Sequence, residues 1–98
     1  MIIVTGSVQA RPEHLDEVLR LSLEHVHRSR AEPGCLVHSV HQDVEDAHRV
    51  VFVEHWQDID ALRAHFAVPA SGGFVTAVQD LATGTPTLEI YDATPARV

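Results

Sequence analysis

The sequence lacks the features that mark several common protein classes. Its single cysteine, Cys35, excludes a framework of internal disulfide bonds. No apolar run approaches the roughly 20 residues of a membrane-spanning helix, and the N-terminus lacks the basic and long apolar regions of a signal peptide. Basic side chains are scarce: 7 stand against 14 acidic ones, for a net charge of −7. This balance argues against nucleic acid or an anionic membrane as a partner, and we expect a soluble, cytoplasmic protein.

The length of 98 residues allows one domain, and an apolar content of 45% is enough for a hydrophobic core. No internal repeat or low-complexity tract divides the chain. We therefore expect residues 1–98 to form a single domain. A domain this small buries a modest fraction of its surface, so a homo-oligomer that covers more of it is expected.

Hydrophobic periodicity predicts the order strand, helix, strand, strand, split helix, strand. The predicted elements are strands over residues 1–8, 35–43, 49–56 and 87–91, and helices over residues 12–31, 58–67 and 71–82. Pro33-Gly34 ends the first helix, because proline cannot continue it and glycine accepts left-handed angles. Gly6 inside the first strand indicates a bulge or the close approach of another group.

The inner faces of the last two helices follow from the same spacing. After an N-cap at Asp58, the second helix is expected to turn Ile59, Leu62 and Phe66 inward. The third helix has its own inward-facing set, which comprises Phe74, Val75, Val78 and Leu81.

This order of elements is that of the ferredoxin-like βαββαβ fold, an α+β arrangement with helices on one face of a four-stranded antiparallel sheet. The third strand carries apolar residues on both faces, with Val50 and Phe52 on one side and Val51 and Val53 on the other. Both faces should therefore be buried. The sheet of a second subunit is the simplest cover, so we expect a homodimer.

The best candidate site lies on the third strand, where Phe52, Glu54 and Trp56 share one face. A carboxylate among apolar neighbours needs a partner, because burial raises its pKa unless a cation or a donor holds it. We predict that this partner is His65, on the flank of the second helix, and the pair would form an acid/base unit. The alternative interpretation is a structural role: Glu54 satisfies a histidine or a backbone amide, and His65 lies at the surface.

The eight histidines of the chain do not show the spacing of a metal site. No HxxxH pair and no Cys/His quartet is present, and His25 and His27 point to different sides of their helix. We therefore expect no bound metal and mostly solvated histidines. Whether His38 shares a sheet face with Glu54 is left undecided. A four-residue hairpin loop would place it opposite Val53, and a five-residue loop would place it opposite Glu54.

Nucleophilic catalysis has little support in the sequence. Cys35 follows a Pro-Gly turn without a fixed base, and small buried cysteines usually belong to the core. No GxSxG, P-loop or GxGxxG segment is present.

Three stretches resemble the antibiotic biosynthesis monooxygenase family, the small dimeric α+β barrels that include quinol monooxygenases. These stretches are Glu32-Pro33-Gly34-Cys35-Leu36, Glu54-His55-Trp56, and Asp60 to Pro69 with His65. The likeness in element order covers nearly the whole chain. It implies a dimeric α/β barrel that oxidises an electron-rich aromatic, such as a quinol or an anthrone-like polyketide, with dioxygen and without a metal, flavin or haem.

The resemblance also implies roles for particular residues. Glu54, Trp56 and His65 match the pocket residues of the family and would be the catalytic residues. His38 stands where many relatives carry a tyrosine. The residues that would contact the substrate are His38, Phe52, Phe66 and Phe74.

Two departures from the family pattern narrow the function. Relatives often carry a second histidine just after Pro69, where this chain has Ala70-Ser71, which weakens the case for quinol oxidation. The haem-degrading branch uses an asparagine on the first strand and a tryptophan in the second helix, and this chain has neither. The alternative to an enzyme is a non-catalytic ligand-binding or stress-related dimer that uses the same pocket.

Overall fold

The fold is described by a computed structural model that covers Met1 to Val98. Its elements are β1 (Ile2–Gln9), a 3-10 turn (Pro12–His14), α1 (Leu15–Ser29), β2 (Cys35–Gln42), β3 (Arg49–Trp56), α2 (Ile59–Ala67), α3 (Pro69–Leu81) and β4 (Thr87–Asp92). The four strands form one antiparallel sheet in the order β2-β3-β1-β4. The predicted α+β, ferredoxin-like architecture is confirmed.

The ends of the helices follow from local chemistry. Asp58 is the N-cap of α2, and its carboxylate accepts a hydrogen bond of 2.9 Å from the backbone N–H of Ala61. The third helix begins at Pro69, two residues before the predicted start, because proline suits the first helical position. The first turn after β1 is 3-10 rather than α-helical, so α1 begins at Leu15.

The core lies between the sheet and the helices. Alternate residues of β1 and β3 point toward the helices and are buried. One cluster joins both strands to α1 and α3 through Val8, Val50, Phe52, Val18, Val26 and Val78. A second cluster contains Ile2, Val4, Trp56 and Leu62. Gly6 occupies the predicted close approach, because a Cβ there would lie 3.1 Å from the carbonyl oxygen of Thr87.

Three residues that were expected to face inward are partly exposed. The side chains of Ile59, Phe66 and Val75 are 38%, 46% and 51% exposed. In α2 the buried positions are Leu62 and His65. The prediction failed for Phe66 and Val75 because a cavity separates α2 and α3 from the β4 side of the sheet, and both residues line that cavity.

The hairpin register, which the sequence left open, pairs His38 with Glu54. The N–H of Asp43 donates to the carbonyl of Arg49 at 3.0 Å and closes a five-residue loop. A bulge between Cys35 and Val37 shifts the pairing at the start of β2. His38 therefore lies on the same sheet face as Glu54.

The sheet face opposite the helices has no layer of its own chain over it. Ile3, Val51 and Val53 point to this side and are half-buried by their neighbours within the sheet, while Val37 and Tyr91 are 39% and 48% exposed. None of the helices has the length and apolar character required to cross a membrane.

Gly34 is expected to be essential for stability. Its φ of +81° lies in the left-handed region, and an added Cβ would lie 2.6 Å from the Cβ of Ala61. Gly34→Ala should lower the free energy of unfolding by more than the ~1–2 kcal/mol of the left-handed backbone alone, measured by urea denaturation. Gly84→Ala is the matched control, because Gly84 has a φ of +72° and no neighbour within 4 Å. Equal losses for the two variants would contradict a role for the Ala61 contact.

Candidate active site

The Glu54 carboxylate is buried on the helix-facing side of β3 and has three nitrogen neighbours. Trp56 Nε1 donates to Glu54 Oε1 at 2.9 Å. His38 Nε2 lies 3.4 Å and His65 Nε2 3.9 Å from the same oxygen. Burial by itself would raise the pKa of Glu54, but the contacts with His38, Trp56 and His65 outweigh it and lower this pKa below its usual value. Glu54 is therefore a buried anion at neutral pH.

His65 has a second and closer carboxylate partner. Its Nδ1 lies 2.9 Å from Oε1 of Glu32, the residue just before the Pro33-Gly34 turn. Because an ionised carboxylate only accepts hydrogen bonds, Nδ1 carries the proton in the neutral ring and Nε2 keeps its lone pair. His65 thus presents a potential proton acceptor on the side of Glu54.

His25, on α1, completes a buried group of three imidazoles. The ring nitrogens that His25, His38 and His65 offer lie within 4.8 Å of one another. His25 stacks on Phe74 at a centroid distance of 4.1 Å, and its Nδ1 lies 2.8 Å from Nη2 of Arg28. Burial, reinforced by the two other histidines and by Arg28, lowers the pKa of His25 to about 3. Its ring is therefore neutral at pH 7.

A cavity of about 330 Å³ opens beside these groups, between the sheet, α2 and α3. Its wall contains one carboxylate, two imidazoles and three phenyl rings. These belong to Glu54, His25, His65, Phe52, Phe66 and Phe74. Gly6 and Leu88 close the β4 side. The volume and the mixed lining are typical of a small-molecule site.

The structure places the predicted site residues in two groups. Glu54, His65 and three phenylalanines (Phe52, Phe66 and Phe74) line the cavity. Trp56 and His38 are buried behind it, with 0% and 2% exposure. Trp56 contacts the site through its bond to Glu54 and through its ring, 4.6 Å from that of His65 between centroids. His38 reaches Glu54 through Nε2.

Sequence reasoning missed two residues of the site, His25 and Glu32. His25 could have been found, because it lies seven residues after Val18 on the buried stripe of α1, which also holds Ser22 and Val26. Glu32 carried no such signal, since its carboxylate reaches His65 only through the turn that follows α1. The expectation of mostly solvated histidines was wrong for His25, because spacing along the chain does not reveal a group that three elements assemble.

Comparison with known proteins agrees with this geometry. The family model described as antibiotic biosynthesis monooxygenase matches residues 1–77. The chain belongs to this family. A crystal structure of a family monooxygenase is 33% identical, with a TM-score of 0.89 over 97% of this chain and 100% of that one. A candidate family monooxygenase from Deinococcus radiodurans is 26% identical, with a TM-score of 0.94 over 100% of this chain and 97% of that one.

A relative in Synechocystis sp., the uncharacterized protein sll1783, is 32% identical over 92% of this chain. The chain spans 61% of the length of that protein. The antibiotic biosynthesis monooxygenase family thus accounts for the fold, whereas the names of these relatives do not specify a substrate.

Cys35 is expected to react slowly with electrophiles. Burial raises the pKa of its thiol, and the carboxylates of Glu32 and Glu54 raise it further, so the thiolate fraction is small. Iodoacetamide at pH 8 should alkylate Cys35 in the folded protein more slowly than it alkylates glutathione, as followed by mass spectrometry. The urea-unfolded chain is the control and should lose this protection. A folded protein that reacts as fast as glutathione would contradict the prediction.

Proposed function

We propose that this chain, acting as a single domain, is a cofactor-independent monooxygenase that oxidises a small aromatic substrate in the cavity. The substrate class is a quinol or an anthrone-like phenol, which is acidic enough to be deprotonated and electron-rich enough to reduce dioxygen. For an anthrone, one oxygen atom replaces two hydrogens of the substrate, and the other oxygen leaves with them as water. The substrate supplies all four electrons that reduce dioxygen, so the reaction needs no external reductant.

The observation that carries this proposal is the Glu32–His65–Glu54 arrangement at the cavity wall. The 2.9 Å contact with Glu32 orients the ring so that Nε2 is the basic nitrogen. When His65 takes the substrate proton, the imidazolium stands between two carboxylates, at 2.9 Å and 3.9 Å. A positioned base of this kind is what a substrate-driven oxidation requires from the protein.

The remaining cavity wall supports a flat aromatic substrate. Phe52 and Phe74 meet edge to face, with ring centroids 5.8 Å apart and planes at 72°. Ser71, in the segment where relatives often carry histidine, also lines the cavity, and its buried hydroxyl has no hydrogen-bond partner. That hydroxyl is a candidate hydrogen-bond donor to a substrate oxygen.

A second candidate function is ligand binding without turnover. The cavity is bordered by Phe66, Val75 and Leu88, which are 46%, 51% and 55% exposed. Such an apolar border favours capture of an aromatic molecule whether or not oxidation follows.

Oxygen consumption with a panel of quinols and anthrones tests the enzyme hypothesis. We expect turnover above autoxidation and, with labelled dioxygen, one labelled atom in an anthrone product. His65→Ala should lower kcat by about 10²- to 10⁴-fold, the usual contribution of a positioned base. Glu54→Gln should also lower kcat, because it removes one of the charges that stabilise the imidazolium.

His27→Ala is the matched control, since His27 is an exposed histidine of α1 and should leave kcat unchanged. Substrate binding can be followed separately through Trp56, the only tryptophan, whose ring contacts that of His65. Saturable quenching of its fluorescence without turnover would support the ligand-binding alternative. A complete lack of turnover with the panel would refute the monooxygenase.

We also propose that two copies pair through the open face of the sheet to form the dimeric barrel. Sedimentation at micromolar concentration should then give about twice the 10.8 kDa of one chain. Val53→Glu places a charge on the covered face and should shift the mass toward the monomer, whereas Asp60→Glu, on exposed α2, should not. A monomeric mass for the unaltered chain would refute this assembly.

A further inference from the structure

We propose that His25, His38 and His65 form a binding site for a divalent first-row transition metal ion of the zinc type. Three elements supply the ligands: α1, β2 and α2. All three side chains are buried, with exposures of 5%, 2% and 2%. This metal site does not rest on the proposed oxidation, although the two share His65. Metal binding would occupy the lone pair of His65 that the proposed base uses, so the metal-loaded and the catalytic forms exclude each other.

The positions of the three rings match the geometry of such a site. Their centroids lie 5.2, 5.3 and 5.5 Å apart. A tetrahedral ion bound at about 2.0–2.1 Å by three imidazoles places the ring centroids roughly 5.2 Å apart and the ligand nitrogens roughly 3.4 Å apart. The nitrogens here lie within 4.8 Å of one another. The ring centroids thus already have the required spacing, and side-chain rotation would have to bring the ligand nitrogens closer together.

The hydrogen bonding of His38 favours a ligand over simple ring packing. Packing of aromatic rings alone produces similar spacings. However, Nδ1 of His38 is buried without a hydrogen-bond partner, and so is Oε2 of Glu32, while Nε2 of His38 has only the Glu54 carboxylate, at 3.4 Å. Buried polar atoms are rarely left unpaired, because each one loses its interaction with water. A metal ion would supply the partner that the buried Nδ1 of His38 lacks.

The surrounding charges also suit a cation. Glu32 accepts a hydrogen bond of 2.9 Å from Nδ1 of His65. Metal-bound histidines commonly donate their other ring N–H to an outer-shell carboxylate of this kind. Glu54 adds a second buried carboxylate, 3.4 Å from His38 Nε2 and 3.9 Å from His65 Nε2. Neutral imidazoles with nearby carboxylates favour Zn²⁺ or Co²⁺ over Mg²⁺ or Ca²⁺, which prefer all-oxygen sites.

Arg28 is the one group that opposes the metal. Its Nη2 lies 2.8 Å from Nδ1 of His25, and a guanidinium only donates hydrogen bonds. It therefore occupies the lone pair of Nδ1, leaves the proton of the neutral ring on Nε2 and brings a positive charge to the site, so His25 can bind a metal ion only when this hydrogen bond breaks. Arg28→Met should remove both effects and tighten metal binding.

Titration of the untagged, metal-free full chain with Co²⁺ tests the site without any need for turnover. We expect one Co²⁺ per chain, visible d–d absorption bands of four-coordinate geometry, and displacement of Co²⁺ by Zn²⁺. His38→Phe should abolish the bands. His41→Phe is the matched control, because His41 is exposed on the opposite face of the same strand and should leave the bands unchanged.

A further variant, Glu32→Gln, tests the site if His38→Phe unfolds the protein. Glu32→Gln should weaken the affinity for Co²⁺ by about 10- to 100-fold, the usual effect of losing an outer-shell partner. Circular dichroism and Trp56 fluorescence report whether each variant is folded. The proposal would be overturned if the unaltered chain showed no bands. It would also be overturned if His41→Phe removed the bands while His38→Phe and Glu32→Gln left them intact. An unchanged or weaker affinity in Arg28→Met would overturn the assignment of His25 as a ligand.

Discussion

The buried negative charge of Glu54 is the constraint around which the rest of the site is arranged. A carboxylate at 6% exposure is stable as an anion only if donors and cations replace the water it has lost. Trp56 supplies a direct hydrogen bond, and His38 and His65 approach the same oxygen from β2 and α2. The side chains that stabilise this charge are also those that give the cavity its chemistry.

Two backbone features bring these side chains together. The five-residue loop between β2 and β3 sets the register that places His38 beside Glu54. The turn at Gly34, which follows the end of α1 at Ser29, leads directly into β2, and Glu32 just before it contacts His65. Lengthening or shortening this loop by one residue would move every side chain of β2 to the other face of the sheet. The site therefore depends on loop geometry as much as on the identity of the side chains.

The sheet is wider than its helical cover, and the cavity is the result. α1 and α3 pack on the centre of the sheet, while the inner residues of β4, Leu88 and Ile90, remain 55% and 45% exposed. Because of the space between β4 and the helices, Phe66 and Val75 line the cavity and do not pack in the core. His25 and His65 border this space, and the lone pair of His65 is used both in the proposed proton transfer and in the proposed metal site.

Periodicity and turn residues were sufficient to predict the order of the elements, the exact bounds of β3, the N-cap at Asp58 and the left-handed conformation of Gly34, because each depends on neighbours within a few residues. Glu54 was recognisable in the same way, as a carboxylate within an apolar strand. The hairpin register and the contact between Glu32 and His65 were not predictable. They depend on how elements distant in sequence pack together, and only the tertiary structure decided them.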